Sequence, residues 1–192
     1  MRCLLLVVLL SVTPPSAAGD SQHRVDVIYD GKVISIHVEA DLHARPALLR
    51  EIINDYDSLS LLLPMISYSE LMTRRSDGGA RVRTDIRVCV LFICRIFRQV
   101  VDVSWHGNGG LAKTLPTQSD FHAGQLEWEV DGLEDGPSRL IIEARYEPRA
   151  SVPPLIGPWL VQRKIRREVA AGLHELEYLT AATRQDQTDR LQ

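Results

Sequence analysis

The chain has 192 residues, 45% of them hydrophobic, with 22 Lys and Arg against 25 Asp and Glu and a net charge of −3 at neutral pH. That length fits one domain with a sizeable core, and the slight acidity excludes a nucleic-acid binder held mainly by phosphate contacts. Beyond the first residues no stretch is both long and free of charge, which excludes a helical membrane anchor in the mature chain.

The N-terminus has the order of parts of a secretory signal: Arg2, an apolar run over residues 4–10, then Ser11-Val12-Thr13-Pro14-Pro15-Ser16-Ala17-Ala18. The run is far shorter than the ~20 apolar residues a spanning helix needs, and small side chains at Ser16 and Ala18 predict cleavage before Gly19. Residues 1–18 are therefore expected to be a cleaved signal peptide, and the mature protein to be periplasmic or secreted. Cys3 precedes the apolar run instead of marking the cleavage point, which argues against a lipoprotein. Loss of Arg2 leaves 21 basic against 25 acidic side chains, a mature net charge of −4. Loss of Cys3 leaves Cys89 and Cys94, an even pair in a compartment where disulfides persist.

After a polar lead, Arg24-Val25-Asp26-Val27-Ile28-Tyr29 and Lys32-Val33-Ile34-Ser35-Ile36-His37-Val38-Glu39 flank Asp30-Gly31, a turn-forming dipeptide, and predict a hairpin. Pro46 opens a segment with Leu48, Leu49, Ile52 and Ile53 at helical spacing, predicting a first helix to about Asp55. Asp55-Tyr56-Asp57 and an apolar stretch ending before Pro64 predict a second short helix. Residues 66–146 change to strand text broken by Ser76-Asp77-Gly78-Gly79, Gly107-Asn108-Gly109-Gly110 and Asp131-Gly132, an antiparallel meander. Its clearest alternation is Gln125-Leu126-Glu127-Trp128-Glu129-Val130, with one apolar and one charged face. Gly157-Pro158 then starts a long helix to about Ala182, followed by a polar tail, residues 183–192, expected to fray.

This order, with Asp55-Tyr56-Asp57 and Pro64 after the first helix, a Cys-x-x-x-x-Cys segment in mid-sheet and Val152-Pro153-Pro154 leading into the last helix, resembles the START-like helix-grip (SRPBCC) superfamily. Within it the likeness is to the polyketide cyclase/dehydrase and coenzyme Q-binding branch, and it covers roughly residues 33–182. The resemblance implies an α+β fold in which a curved antiparallel sheet of about six or seven strands wraps a long C-terminal helix over a hydrophobic cavity, fold analogy being an associational warrant. The ligand-binding domain would occupy residues 19–182, with the strand before Asp30 an addition. Members include lipid carriers, quinone-binding chaperones and aromatase/cyclases.

Motifs of covalent chemistry fail on context. Gly107-Asn108-Gly109-Gly110-Leu111-Ala112 matches a dinucleotide fingerprint by letter but lies between two strands, and Ala112 stands where a phosphate loop needs glycine before Lys113. The six histidines show no i, i+4 pair and are read as solvated or core residues, so neither metal nor cofactor is expected. No G-x-S-x-G elbow occurs, and Cys89 and Cys94 sit among apolar strand residues unlike an activated thiolate.

Around the last helix Trp159, Ile165, Val169, Leu173 and Leu176 share a broad face with Arg166 inside it. Arg166 has three readings: it meets the polar head of a ligand, it snorkels at the face's edge, or it pairs with a sheet carboxylate such as Glu143. The segment Cys89-Val90-Leu91-Phe92-Ile93-Cys94, flanked by Arg87, Arg95 and Arg98, has two. It is a buried strand with cysteines as small apolar fillers, or a hairpin closed by a Cys89–Cys94 disulfide whose tip, Val90, Leu91, Phe92 and Ile93, dips into an anionic membrane. Arg163-Lys164 and Arg166-Arg167 would reinforce such docking.

The leading expectation is a monomer that binds or transfers an apolar small molecule, a quinone, acyl lipid or terpenoid, with transient membrane contact and no catalytic residue. Its cavity residues would be Tyr68, Phe97, Trp105, Trp128, Trp159, Arg166, Val169 and Leu173. A cyclase acting on a polyketide-like substrate, with Arg166, Tyr68 or Glu143 as acid or base, is the second expectation, and a non-binding structural domain the third.

Overall fold

A side chain builds the first turn. The Asp30 carboxylate accepts hydrogen bonds from the main-chain N–H groups of Lys32 (2.9 Å) and Val33 (2.7 Å), and the Tyr29 hydroxyl donates to the Gly31 carbonyl at 2.8 Å. The turn closes β1 (His23–Tyr29) onto β2 (Ile34–Leu42), the predicted hairpin. In the computed structural model, residues 23–90, 93–150 and 157–189 are described; the expected signal peptide lies outside them.

Helix α1 (Pro46–Asn54) begins with proline in its first turn, where a missing N–H costs nothing, and α2 (Leu59–Leu62) follows as a single turn. The strands β3 (Ile66–Arg74), β4 (Ala80–Val90), β5 (Ile93–His106), β6 (Gly109–Thr114), β7 (Phe121–Gly132) and β8 (Ser138–Pro148) then run as the expected meander, with a 3-10 helix, Pro116–Gln118, before β7. All pairings are antiparallel, in the order β1-β2-β8-β7-β6-β5-β4-β3. Register shifts in β3 and at the start of β7 bend the sheet.

The sheet has eight strands, in keeping with the six or seven that the resemblance implies plus β1, the strand before Asp30 expected as an addition. Of the Gly-Asn-Gly-Gly run only Gly107 and Asn108 form the turn, while Gly109 and Gly110 already pair with His106 and Trp105. A Cβ on Gly109 would lie 1.9 Å from the main-chain oxygen of Trp128, so the strand passes only because that position carries none.

Helix α3 (Pro158–Asp189) spans 32 residues and continues past the expected end near Ala182. Residues 183–189 hold neither Gly nor Pro to stop it, and the Thr183 hydroxyl donates to the Leu179 carbonyl at 2.9 Å. The main core joins Leu49 of α1, Leu62 of α2 and Leu173 and Leu176 of α3 to Val38, Val82, Val130 and Leu140 of the sheet. A second core packs Val161 and Ile165 of α3 against Val27 and Tyr29 of β1.

Because overpacking a tight site costs about 1–3 kcal/mol, Gly109→Ala should fall at the upper end of that range. The expected readout is a lower urea midpoint at unchanged slope.

Candidate functional site

Strand register decides which side chains meet α3. The opposed pairs Thr84–Gln99, Val101–Thr114 and Val103–Ala112 carry one face of the sheet through β4, β5 and β6. Leu126–Ala144 and Gly124–Tyr146 carry the same face through β7 and β8. Helix α3 covers this inner face unevenly, because its packing concentrates on β1, α2 and β4.

A filled core leaves its side chains almost no accessible surface, as at Val82 and Val130, each 1% exposed. Ile36, Val101, Ala112, Leu126 and Ile142 share that face yet stay only partly buried. Accessible apolar surface on the helix-facing side is read as a gap between the two layers. This gap is the candidate ligand site.

A polar cluster crosses its floor. Gln99 and Thr114 are both buried, and Gln99 Nε2 donates to Thr114 Oγ1 at 3.0 Å. Between β6 and β8 the position facing them is Gly124, where a Cβ would lie 2.3 Å from Thr114 Oγ1 and 2.7 Å from Tyr146 Cδ1. Glycine there lets the Tyr146 ring approach the pair. Phe121 stands 5.7 Å from the Tyr146 ring and 5.9 Å from Phe97, centroid to centroid, forming an aromatic wall. Burial pushes the Tyr146 hydroxyl up to about 12, partly offset by a hydrogen bond with Gln99, although the residue keeps accessible surface.

The residues proposed from sequence for the cavity divide into three groups. Phe97, Val169 and Leu173 belong to the inner layer, Phe97 in the aromatic wall, Val169 packed against both cores and Leu173 in the main one. Trp128 and Trp105 meet edge to face at 5.3 Å; Trp128 is buried in the main core, whereas Trp105, opposite Gly110 in the β5–β6 ladder, is exposed. Tyr68 and Trp159 do not face the gap. A register shift between Ile66 and Tyr68 turns Tyr68 to the outer face opposite Asp85, where its hydroxyl donates to Glu70 and the Arg83 guanidinium lies 5.1 Å over its ring. Trp159, in the first turn of α3, is 61% exposed.

Arg166 resolves toward the edge of its face. Its Nε donates to the Val25 carbonyl at 3.2 Å, beside Gln162 Nε2, which donates to the Tyr29 carbonyl at 3.4 Å. Glu143 is not its partner, since that carboxylate meets His37 Nδ1 on the outer face at 2.5 Å and raises the His37 pKa. Cys89 and Cys94 are directly opposed and disulfide-bonded, so a disulfide closes the hairpin and the buried-strand reading falls. Of the expected membrane tip, Val90 and Ile93 close the ladder, while Leu91 and Phe92 lie outside the described residues.

Sequence reasoning passed over Gln99, Thr114, Gly124 and Tyr146, although Tyr146 and Leu126 stood in alternating runs that mark the inner face. A groove of about 550 Å³ is bordered by Ser35, Glu127, Glu143 and Arg145 together with Gly124 and Tyr146.

No protein-family model and no curated protein sequence matches the chain. Solved structures do resemble it. A START superfamily protein from Mycobacterium smegmatis aligns at a TM-score of 0.60 and 18% identity, over 80% of this chain and 99% of that one. A STAR-related lipid transfer protein from Xanthomonas axonopodis aligns at 0.63 and 14% identity, over 86% of this chain and 96% of that one. The Zhui aromatase/cyclase from Streptomyces sp. R1128 aligns at 0.62 and 14% identity, over 78% and 94%. At such identities the likeness carries the fold, and that fold is the START-like helix grip.

The raised Tyr146 value gives a signed expectation. The unfolded chain loses this proton near the ordinary 10.0 and the folded chain near 12, so the stabilisation is complete below pH 10 and is lost as pH rises through 12. Urea titrations across that window should show a shallower fall of stability in Tyr146→Phe than in the wild type.

Proposed function

We propose that the protein binds and transfers an apolar, lipid-like small molecule held between the sheet and α3. The observation that carries this reading is the accessible apolar surface of Ile36, Val101, Ala112, Leu126 and Ile142 on the face that looks toward the helix. Burying such surface against a ligand supplies affinity in proportion to area, about 25 cal/mol per Å². The named functions of the lipid transfer and aromatase/cyclase neighbours are compatible with a ligand in this place. Export is part of the proposal: the leader at residues 1–18 supports a periplasmic or secreted protein, and the Cys89–Cys94 disulfide suits that compartment.

Ligand exchange would take place at an anionic membrane surface. Arg87 and Arg95 at the far end of the β4–β5 hairpin are exposed, as are Arg163 and Arg167 at the start of α3. The second core brings Val88 of that hairpin beside Leu160 and Val161, so these four cations lie at one end of the molecule.

A cyclase role has one observation in its favour, the polar cluster inside the gap. None of the fully buried polar residues described is charged, and a phenol that holds its proton to about pH 12 is no base at neutral pH. The cluster is therefore suited to holding a ligand more than to abstracting its proton. The deciding experiment is solvent extraction of mature protein from the periplasm with mass spectrometry of the extract. A quinone, acyl lipid or terpenoid in stoichiometric amount is the expected result; an empty protein that also takes up no apolar probe would refute carriage.

A further inference from the structure

A large aromatic side chain left in water is not explained by the packing around it. Trp159 stands in the first turn of α3 and is 61% exposed, although Leu160 and Val161 beside it pack into the second core. Side chains of a helix tilt toward its N-terminus, and this ring does so fully. A Cβ on Gly157 would lie 2.9 Å from both Cδ1 and Nε1 of the indole, so the ring reaches back to the level of Gly157, ahead of the helix itself.

The surroundings carry one sign of charge. Residues 86–98 and 157–167 contain Arg87, Arg95, Arg98, Arg163, Lys164, Arg166 and Arg167 and no Asp or Glu, in a chain whose net charge is −3. The second core, which takes in Val88, Leu160 and Val161, brings the two segments together. Three of these cations are engaged: Arg98 with Asp85 at 3.5 Å, Lys164 with Glu168, and Arg166 with the Val25 carbonyl. Arg87, Arg95, Arg163 and Arg167 are exposed. The carboxylates near the β1–β2 turn are taken up locally, Asp30 by the N–H groups of Lys32 and Val33 and Glu147 by the Lys32 ammonium at 2.9 Å. Two further apolar side chains are exposed at this end: Ile96, opposite Arg87 in the ladder, and Ile28, next to Tyr29 of the second core.

An exposed indole among cations matches the boundary layer of an anionic bilayer. The ring is apolar in body and carries one N–H, which suits the level where headgroups meet acyl chains, and each cation near such a surface adds about fivefold to binding. A protein partner would need an acidic surface with an apolar socket at one matching place, whereas a bilayer of anionic lipid offers both everywhere.

We propose that Trp159 is the membrane anchor of this protein, its indole entering the headgroup layer of an anionic bilayer while Arg87, Arg95, Arg163 and Arg167 meet lipid phosphates. The assignment deepens the reading of exchange at a membrane surface and rests on it. It also sets an orientation: the start of α3 and the β4–β5 hairpin face the lipid, and α1, which follows the opposite end of β2, faces away.

The test uses the mature protein and vesicles of phosphatidylcholine, alone or mixed with phosphatidylglycerol. The wild type should sediment with the mixed vesicles and far less with the neutral ones, and its tryptophan emission should shift to the blue and be quenched by lipids brominated on the acyl chains. Trp159→Ala should abolish the shift and the quenching, with Trp105 and Trp128 still present, and weaken binding about tenfold, the worth of withdrawing one large apolar side chain from water. Trp159→Phe, which keeps a ring, should also silence the emission change but retain most of the binding, and it serves if the alanine variant does not fold. Arg163→Ala should cost about fivefold. Binding to the mixed vesicles without an emission change, or equal binding by Trp159→Ala, overturns the anchor while leaving membrane exchange in place. A blue shift that follows protein concentration with no lipid present assigns Trp159 to self-association and overturns it too. Binding to neither vesicle overturns exchange at a membrane and this inference together, while carriage is still decided by the solvent extraction.

Discussion

The seating of α3 on the open edge of the sheet governs the rest of the molecule. Strand β1 pairs with β2 on one side only, which leaves main-chain carbonyls such as those of Val25 and Tyr29 facing outward. Exposed strand edges invite pairing with other chains unless something covers them. Here the cover is polar and apolar at once: Arg166 and Gln162 donate to those two carbonyls while Val161 and Ile165 pack on Val27 and Tyr29. Satisfying an edge from a helix draws the helix to the margin of the sheet. With the other end of α3 held by Leu173 and Leu176 in the main core, Ile36, Val101, Ala112, Leu126 and Ile142 keep accessible surface in the middle of the inner face. The gap is a consequence of how the edge is protected.

Such a gap is apolar in most of its lining, and a polar group placed in it must find a partner or cost stability. Gln99 and Thr114 meet that demand by bonding one another across β5 and β6. A domain with no use for them would be better served by aliphatic side chains there, since replacing both partners of a buried hydrogen bond by apolar groups of similar shape is close to neutral. Their presence therefore weighs against the purely structural reading. The fold cannot choose between carrier and cyclase, because one scaffold hosts unrelated functions and the choice rests with the site.

What could be read from the sequence follows physical locality. The hairpin at Asp30, the helix opening at Pro46 and the Gln125 to Val130 alternation depend on neighbours a few residues away, and all formed where expected. The start of strand β6 was hidden because Gly109 and Gly110 signal turns locally, whereas their role is set by Trp128 on the adjacent strand. Tyr68 pointed the wrong way because a register shift inverts face parity without leaving a mark in residue type. Arg166 had three readings, and only the position of β1 separates them. The polar cluster draws its members from β5, β6, β7 and β8, none of them adjacent in sequence, and no local pattern could assemble it.

The disulfide belongs to the same logic of register. The β4–β5 hairpin lacks Gly, Pro or Asn near its turn, so local chemistry does little to specify which residues oppose one another. A slip of one residue would send Phe97, Gln99 and Val101 to the outer face and bring Arg98 inward. The Cys89–Cys94 bond joins one opposed pair of that ladder, and the pairing that opposes Cys89 to Cys94 is the one that opposes Thr84 to Gln99. By loop closure alone a bridge over so few residues is worth only about 2 kcal/mol. Its larger effect is on specificity, because it excludes the slipped ladder and so fixes the side of the sheet on which Gln99 stands. Oxidation at the hairpin end and the polar cluster in the gap are thereby linked through the backbone of β5, which carries both Cys94 and Gln99.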